Sequence, residues 1–381
     1  MKKIYLDNGA TSYPKPQEVM AATMRYFEEM TGNAGRSTES ARGVDQLIFD
    51  LRANLADFFG FAYPENVIFT KNITEAINTI CFGYLEEGDH VLISNFEHNA
   101  VVRPLHALAS LGRIEYDLLP FRADGTIELV EIEKRVRPET KLVICVHASN
   151  VTGQILDVET VIGVCKKHQI KFMLDAAQTA GFLDLDMSLM GIDCLAFTGH
   201  KSLLGPTGTG GVLISQDMAK RIRPLIYGGT GSLSESIEQP AFPPDHFESG
   251  TLNLMGLMGL EASLKWLRQR GLSNIREHEW ALMDYLEGEI EMIQGVSGLR
   301  HVPFKDRTGV LSLTFDTAEP SIVAHRLNRE FGVVTRVGLH CAPLAHQTLG
   351  TYPSGTLRIS LSDFSKEEDL NRLIEGLKTI L

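Results

Sequence analysis

Between residues 66 and 211, short runs of apolar and β-branched residues alternate with stretches of helical spacing. The runs fall at 67–70, 90–94, 113–119, 141–147, 171–175, 194–197 and 211–215. This alternation predicts a largely parallel sheet with helices on both faces. Ligands of such sheets collect where strands end and loops begin. Four of the runs are followed at once by polar groups: Thr70-Lys71-Asn72, Glu97-His98-Asn99, Asp175-Ala176-Ala177-Gln178 and Thr198-Gly199-His200-Lys201. One crevice can hold all four.

A stretch rich in glycine, proline and serine follows, from Tyr227 through Pro240-Pro244 to Glu248-Ser249-Gly250-Thr251, and its length marks a functional loop rather than a tight connection. Beyond it, helical spacing covers 253–270 and 275–293. Strand-like runs at 310–315 and 356–361, with helices near 320–330 and 366–381, predict a compact α+β unit. The organisation expected is a large domain over 16–255 and a smaller one made of 1–15 with 256–381.

Composition narrows the function classes. The net charge of −12 and the lack of a long basic run disfavour nucleic-acid binding. No segment approaches the roughly twenty continuous apolar residues of a membrane span. The first residues meet an acid at Asp7, too early for a secretory signal, so a cytoplasmic protein is expected. Five scattered cysteines, Cys81, Cys145, Cys165, Cys194 and Cys341, fit neither a disulfide framework nor a closely spaced zinc site, and no metal is expected.

Lys201 stands just after an apolar run and just before a glycine-rich loop. A lysine so placed can lose its proton by desolvation and attack an aldehyde, which suits the Schiff-base chemistry of a pyridoxal phosphate (PLP) enzyme. At 70–76 a strand-to-helix turn offers backbone N–H groups and hydroxyls to a phosphate, with Thr74 as the main candidate; the alternative is that Asn72 merely caps the helix with Glu75 as reciprocal partner. Asp175 closes an apolar strand, where an acid suits a cationic pyridine nitrogen, or else caps a following helix. Gln178 could reach the ring oxygen. His98 offers a face for stacking on a flat heterocycle, or makes a structural hydrogen bond, and Asn150 is either a donor to a phenolate or a turn former before Gly153. Cys341 lies in a loop with glycine, proline, histidine and arginine, a setting that exposes a thiol, whereas the other four cysteines sit in apolar patterns. Arg358, a charge on an otherwise core-like strand, can hold a substrate carboxylate or a structural ion pair.

Taken in order, Tyr5-Leu6-Asp7-Asn8-Gly9-Ala10-Thr11, Asn72-Ile73-Thr74-Glu75-Ala76, Glu97-His98-Asn99, Ser149-Asn150-Val151-Thr152-Gly153, Asp175-Ala176-Ala177-Gln178, Gly199-His200-Lys201, Phe247-Glu248-Ser249-Gly250-Thr251, Gly338-Leu339-His340-Cys341-Ala342 and Leu357-Arg358 resemble the class V aminotransferase family of fold-type I PLP enzymes. The resemblance is greatest to the cysteine desulfurase and selenocysteine lyase branch. It implies an α/β fold with a mainly parallel central sheet in a large domain and a smaller α+β C-terminal domain. It further implies that Lys201 holds PLP as a Schiff base and acts as base, that Asp175 pairs with the ring nitrogen, that His98 stacks on the ring, and that Asn150 and Gln178 address the ring oxygen. Thr74, Thr198 and His200 would bind the phosphate, and Thr251 would reach the phosphate of a neighbouring subunit, which implies a homodimer with shared sites. Arg358 would hold the carboxylate of L-cysteine, with Arg36 and Arg336 near the substrate. Cys341 would accept the sulfur as a persulfide and pass it to an acceptor protein, with His340 promoting thiolate formation or donating a proton. The loop departs from the usual pattern of two histidines before the cysteine, since Leu339 takes the first place. Alternatives are a selenocysteine lyase, another lyase or aminotransferase of the family, or a sulfur-carrier partner with little activity alone.

Overall fold

The computed structural model describes residues 3–29 and 39–381. Its centre is a seven-stranded sheet in the order β2-β8-β7-β6-β5-β3-β4. These strands are β2 (Val67–Thr70), β3 (Asp89–Ser94), β4 (Ile114–Leu119), β5 (Thr140–Val146), β6 (Lys171–Asp175), β7 (Cys194–Thr198) and β8 (Gly210–Ile214). Five of them, β3 to β7, run parallel, while β8 lies antiparallel to both β7 and β2. Because β8 reverses twice, β2 points the same way as β7. The C-terminal ends of β2, β3, β5, β6 and β7 therefore share one edge, where the four polar segments emerge.

The inner strands form because both of their faces are covered. Leu92, Val143, Leu174, Leu195 and Phe197 join one apolar cluster, and Val91, Ile93, Ile144, Met173 and Ala196 join the cluster on the opposite face. Burial of each large side chain stabilises the fold by about 1.5–3 kcal/mol. Four helices open the chain: α1 (Gln17–Glu29), α2 (Glu39–Phe58), α3 (Ile73–Tyr84) and α4 (Asn99–Ser110). The last two start at the sheet's polar edge. Asn72 caps α3 by accepting from Glu75 N at 3.1 Å, and His98 Nδ1 caps α4 by accepting from Ala100 N at 3.0 Å.

A second sheet of four antiparallel strands packs alongside, in the order β12 (Arg336–Gly338), β13 (Thr356–Ser360), β10 (Val310–Phe315), β9 (Val296–Gly298). The short β1 (Ile4–Tyr5) pairs in parallel with β11 (Val333–Val334), and Asp7 bridges to Ser360. The N-terminal segment is thereby stitched to the later sheet before it crosses to the β7 edge. Helices Leu254–Arg270 and Leu272–Glu291 join the two sheets, and Glu367–Ile380 closes the chain against the small one. Among the described residues no helix is long and apolar enough to cross a membrane.

Candidate active site

Lys201 sits two residues beyond Gly199 at the end of β7. A Cβ on Gly199 would lie 2.1 Å from Thr209 Oγ1, so only glycine lets the chain pass there on its way to the lysine. The turn is then held from outside by the N-terminal segment. Ser12 N donates to His200 O at 2.9 Å, Ser12 Oγ donates to Lys201 O at 2.9 Å, and Lys15 Nζ donates to His200 O at 3.0 Å. Ser12 and Lys15 carry no signal in the sequence that ties them to Lys201; the β1–β11 pairing and the contacts of Asp7, Asn8 and Gly9 with Ser360 bring them there.

Burial lowers the Lys201 pKa to about 8, with the nearby Arg358 and Arg336 cations acting in the same direction and the Asp175 and Asp7 carboxylates opposing. The side chain is thus neutral in a useful fraction near neutrality. Asp175, at the end of β6, is buried and its Oδ1 accepts from Ala177 N at 2.9 Å. Burial raises its pKa, against that N–H and the Lys201 charge. The expected alternative, capping of a following helix, does not apply: residues 177–179 form a turn and no helix, so the carboxylate is not engaged by a helix.

His98 lies in the same field. Burial first, then the Lys201, Arg336, Arg103 and Arg358 charges, lower its pKa to about 4, so the imidazole is neutral. Glu97, one residue earlier, is fully buried; its Oε1 accepts from Val146 N at 2.6 Å and from Ser94 Oγ, while Oε2 has no partner. Burial and the Asp175 charge push it up to about 8, which favours a neutral carboxylic acid tying the end of β3 to β5. In sequence it reads as an ordinary acid beside a histidine.

Arg358, on β13, is completely buried. Its Nη2 donates to Asp7 Oδ1 at 2.7 Å and its Nη1 to Asn150 O at 2.9 Å, while Nε has no partner. The structural ion pair foreseen as an alternative is therefore formed, and among the described residues one guanidinium nitrogen, Nε, is left without a partner. Asn150 Nδ2 donates to His340 O at 2.7 Å, and Gln178 Nε2 donates to Gly9 O at 3.2 Å. The Cys341 loop thus meets this cluster directly. Asn99 N, in the first turn of α4, donates to Cys341 O at 2.7 Å, and Arg336 Nη2 lies 3.6 Å from Cys341 Sγ. Of the five cysteines only Cys341 is exposed.

A phosphorylated pyridine aldehyde fits these groups. Thr198 Oγ1 and His200 Nδ1 are buried without partners among the described residues at the end of β7, as expected of groups awaiting an anion, and a buried carboxylate held only by the Ala177 N–H suits a ring nitrogen. Thr74 stands exposed in the first turn of α3, on the same sheet edge, beside the cap formed by Asn72. Glu75 Oε2 accepts from Lys71 N at 2.6 Å rather than from the cap residue, so the reciprocal capping pair is not formed. Thr251 lies apart, in a groove of about 820 Å³ lined also by Phe49, Arg52, Thr230 and Glu248. Arg36 lies outside the described residues.

A parallel-rich sheet with a lysine, an acid and an imidazole at its C-terminal edge, flanked by a small α+β sheet, is the fold of the fold-type I PLP transferases. The family model for aminotransferase class-V matches residues 4–373, and the chain belongs to that family. It is 32% identical to a probable cysteine desulfurase of Methanothermobacter thermautotrophicus, over 99% of this chain and 94% of that relative. Among solved structures it resembles an apo cysteine desulfurase from Thermococcus onnurineus, with a TM-score of 0.91 at 28% identity, covering 99% of this chain and 94% of the other. The cysteine desulfurase CsdA of Escherichia coli gives a TM-score of 0.88 at 26% identity, over the same shares of the two chains.

Proposed function

We propose that the chain is a PLP-dependent cysteine desulfurase that converts L-cysteine to L-alanine and takes the sulfur onto Cys341 as a persulfide. One observation carries this reading above all: the bond from Asn99 N to Cys341 O, at 2.7 Å, sets the single exposed thiol against the helix turn capped by His98. His98 in turn lies within the field of Lys201. An exposed thiol linked through α4 to the surroundings of a Schiff-base lysine suits sulfur transfer better than transamination, which needs no thiol.

When bound, PLP supplies a covalent anchor for an amine and a sink for the electrons of a Cα–H bond. Lys201 takes the Cα proton and later returns one, a role that suits an amine whose burial favours its neutral form. Asp175 would hold the proton of the ring nitrogen, His98 would offer its face to the ring, and Asn150 and Gln178 would address its oxygen. Thr198, His200 and Thr74 hold the phosphate. Arg358 would offer the substrate carboxylate its Nε, which has no partner among the described residues, and Arg336 lies beside Cys341 Sγ. Cys341 Sγ then bonds to the substrate sulfur as the carbon–sulfur bond breaks; the electron pair stays on carbon, which takes a proton as alanine forms. Alanine release from L-cysteine by the PLP-loaded protein, with and without Cys341→Ala, tests this reading.

The working unit is a homodimer of a cytoplasmic protein, with a large domain over 16–255 and a small one made of 1–15 and 256–381. Support for the dimer comes from α1, where Met20, Met24 and Phe27 stand on one face at 52%, 59% and 68% exposure. Thr251, in its open groove, then serves the phosphate of the neighbouring subunit. Sedimentation of wild type against Phe27→Glu checks this arrangement: the variant is expected to dissociate.

A further inference from the structure

Cys341 and its neighbour His340 both adopt left-handed backbone, with φ of 59° and 49°, although neither is glycine. Such a pair costs on the order of a few kcal/mol unless its surroundings hold it. Part of the hold is on the backbone carbonyls: His340 O accepts from the Asn150 side-chain amide Nδ2, and Cys341 O from Asn99 N. The rest runs through the His340 ring, which is 3% exposed.

The ring ends a chain of hydroxyls whose proton positions are forced. Ser312 Oγ lies 2.6 Å from Val151 O, and a carbonyl can only accept, so the single Ser312 proton points there. Thr356 Oγ1, 3.0 Å from Ser312 Oγ, must then donate its own proton to Ser312. No proton is left on Thr356 for His340, whose Nε2 lies 2.9 Å from Thr356 Oγ1. Nε2 must therefore carry a hydrogen and donate it. The remaining nitrogen, Nδ1, is buried with no partner among the described residues. His346 lies alongside, its ring centroid 5.5 Å away, and its Nε2 is also without a partner, so nothing in this pocket supplies a counter-charge to a protonated ring. Burial, with the Arg358 charge next, brings the His340 pKa down to about 2.

We infer that Thr356 and Ser312 are positioning residues for sulfur transfer: through the Nε2–H of His340 they hold the left-handed turn that presents the Cys341 thiol. His340 acts in this scheme as a fixed strut and passes no proton. The inference rests on the desulfurase reading for its purpose, but the strut itself can be tested apart from turnover.

Two readouts on the PLP-loaded protein separate these points: hydrogen–deuterium exchange of peptides covering 336–345, and the persulfide formed on Cys341 in a single turnover with L-cysteine. Thr356→Val removes the acceptor at constant shape, and is expected to speed exchange in the segment about tenfold and slow persulfide formation by a similar factor. Thr356→Ser restores the hydroxyl and is expected to return both to within about threefold of wild type. His340→Gln retains an N–H donor of similar reach that cannot release a proton, and should behave like Thr356→Ser. Unchanged exchange in Thr356→Val overturns the strut. Wild-type exchange in His340→Gln with persulfide formation abolished overturns it too, in favour of proton transfer by the imidazole. A wild type that forms no persulfide defeats the desulfurase reading instead, while the exchange comparison still decides the strut.

Discussion

Asn99 N donates to the carbonyl of Cys341 at 2.7 Å, joining two residues 242 positions apart in the chain (341 less 99). The bond links the exposed thiol of one sheet's loop to the first turn of a helix that springs from the other sheet. Both partners are backbone groups, so the link survives most side-chain substitutions and fixes where the sulfur can travel.

Lys201→Ala removes the amine that holds the cofactor and moves the proton. The purified variant is expected to lose the visible band of lysine-bound PLP. Alanine formation should fall about 10²–10⁴-fold, the span typical for loss of a positioned acid–base group.

The same lysine sets a pH dependence. Its pKa is lowered to about 8, so the neutral amine grows as pH rises through that value. PLP capture by cofactor-free protein should accelerate between pH 7 and 9 and level off above. A rate still climbing steeply toward pH 10.5 would show that burial does not shift the group.

Arg358→Lys keeps the charge but loses the Nε donor, together with the paired bonds to Asp7 and Asn150. Charge-assisted hydrogen bonds contribute about 1.5–3 kcal/mol, so KM for L-cysteine is expected to rise on the order of tenfold to a hundredfold. Steady-state alanine assays give the value directly.

Glu97 makes stability depend on pH. Its folded pKa is raised to about 8 from 4.5, so between those values the native state keeps a proton that the unfolded chain has released. Stability from this group is complete below the unfolded value and is lost as pH rises through about 8. Glu279, also pushed up to about 8 by burial, acts in the same sense. Glu97→Gln is therefore expected to flatten, without abolishing, the fall in melting temperature between pH 6 and 9.

Arg52 and Glu248, each only 6% exposed at the side chain, pin the loop that carries Thr251 to the edge strand β2 through Phe69 N and Val67 O. Arg52→Met leaves a buried carboxylate unpaired and should cost about 3–5 kcal/mol in denaturant unfolding.

Much of the large sheet was legible because its strands are continuous apolar runs between turns. Strand direction was not: nothing in the run at 211–215 distinguishes an antiparallel β8 from its parallel neighbours. The first two helices escaped notice for a related reason. In α1 the buried Val19 and Ala22 oppose an exposed apolar stripe of Met20, Met24 and Phe27, which blurs any single-face period. Lys201, Asp175 and His98 announced themselves as polar residues at strand ends. Glu97 did not, since an acid beside a histidine gives no sign that it is buried and protonated. The His340–Thr356–Ser312 chain was equally hidden, because its members stand on a loop and on two strands and meet only through the pairing of β10 with β13.

The central claim is that sulfur leaves L-cysteine onto Cys341. Peptide mass spectrometry of the PLP-loaded protein after a single turnover with ³⁵S-labelled L-cysteine tests it most directly. The account predicts alanine and label in equal amounts, with the label on the peptide containing Cys341 and removable by a reductant. Alanine formed with free labelled sulfide and no label on that peptide would contradict it.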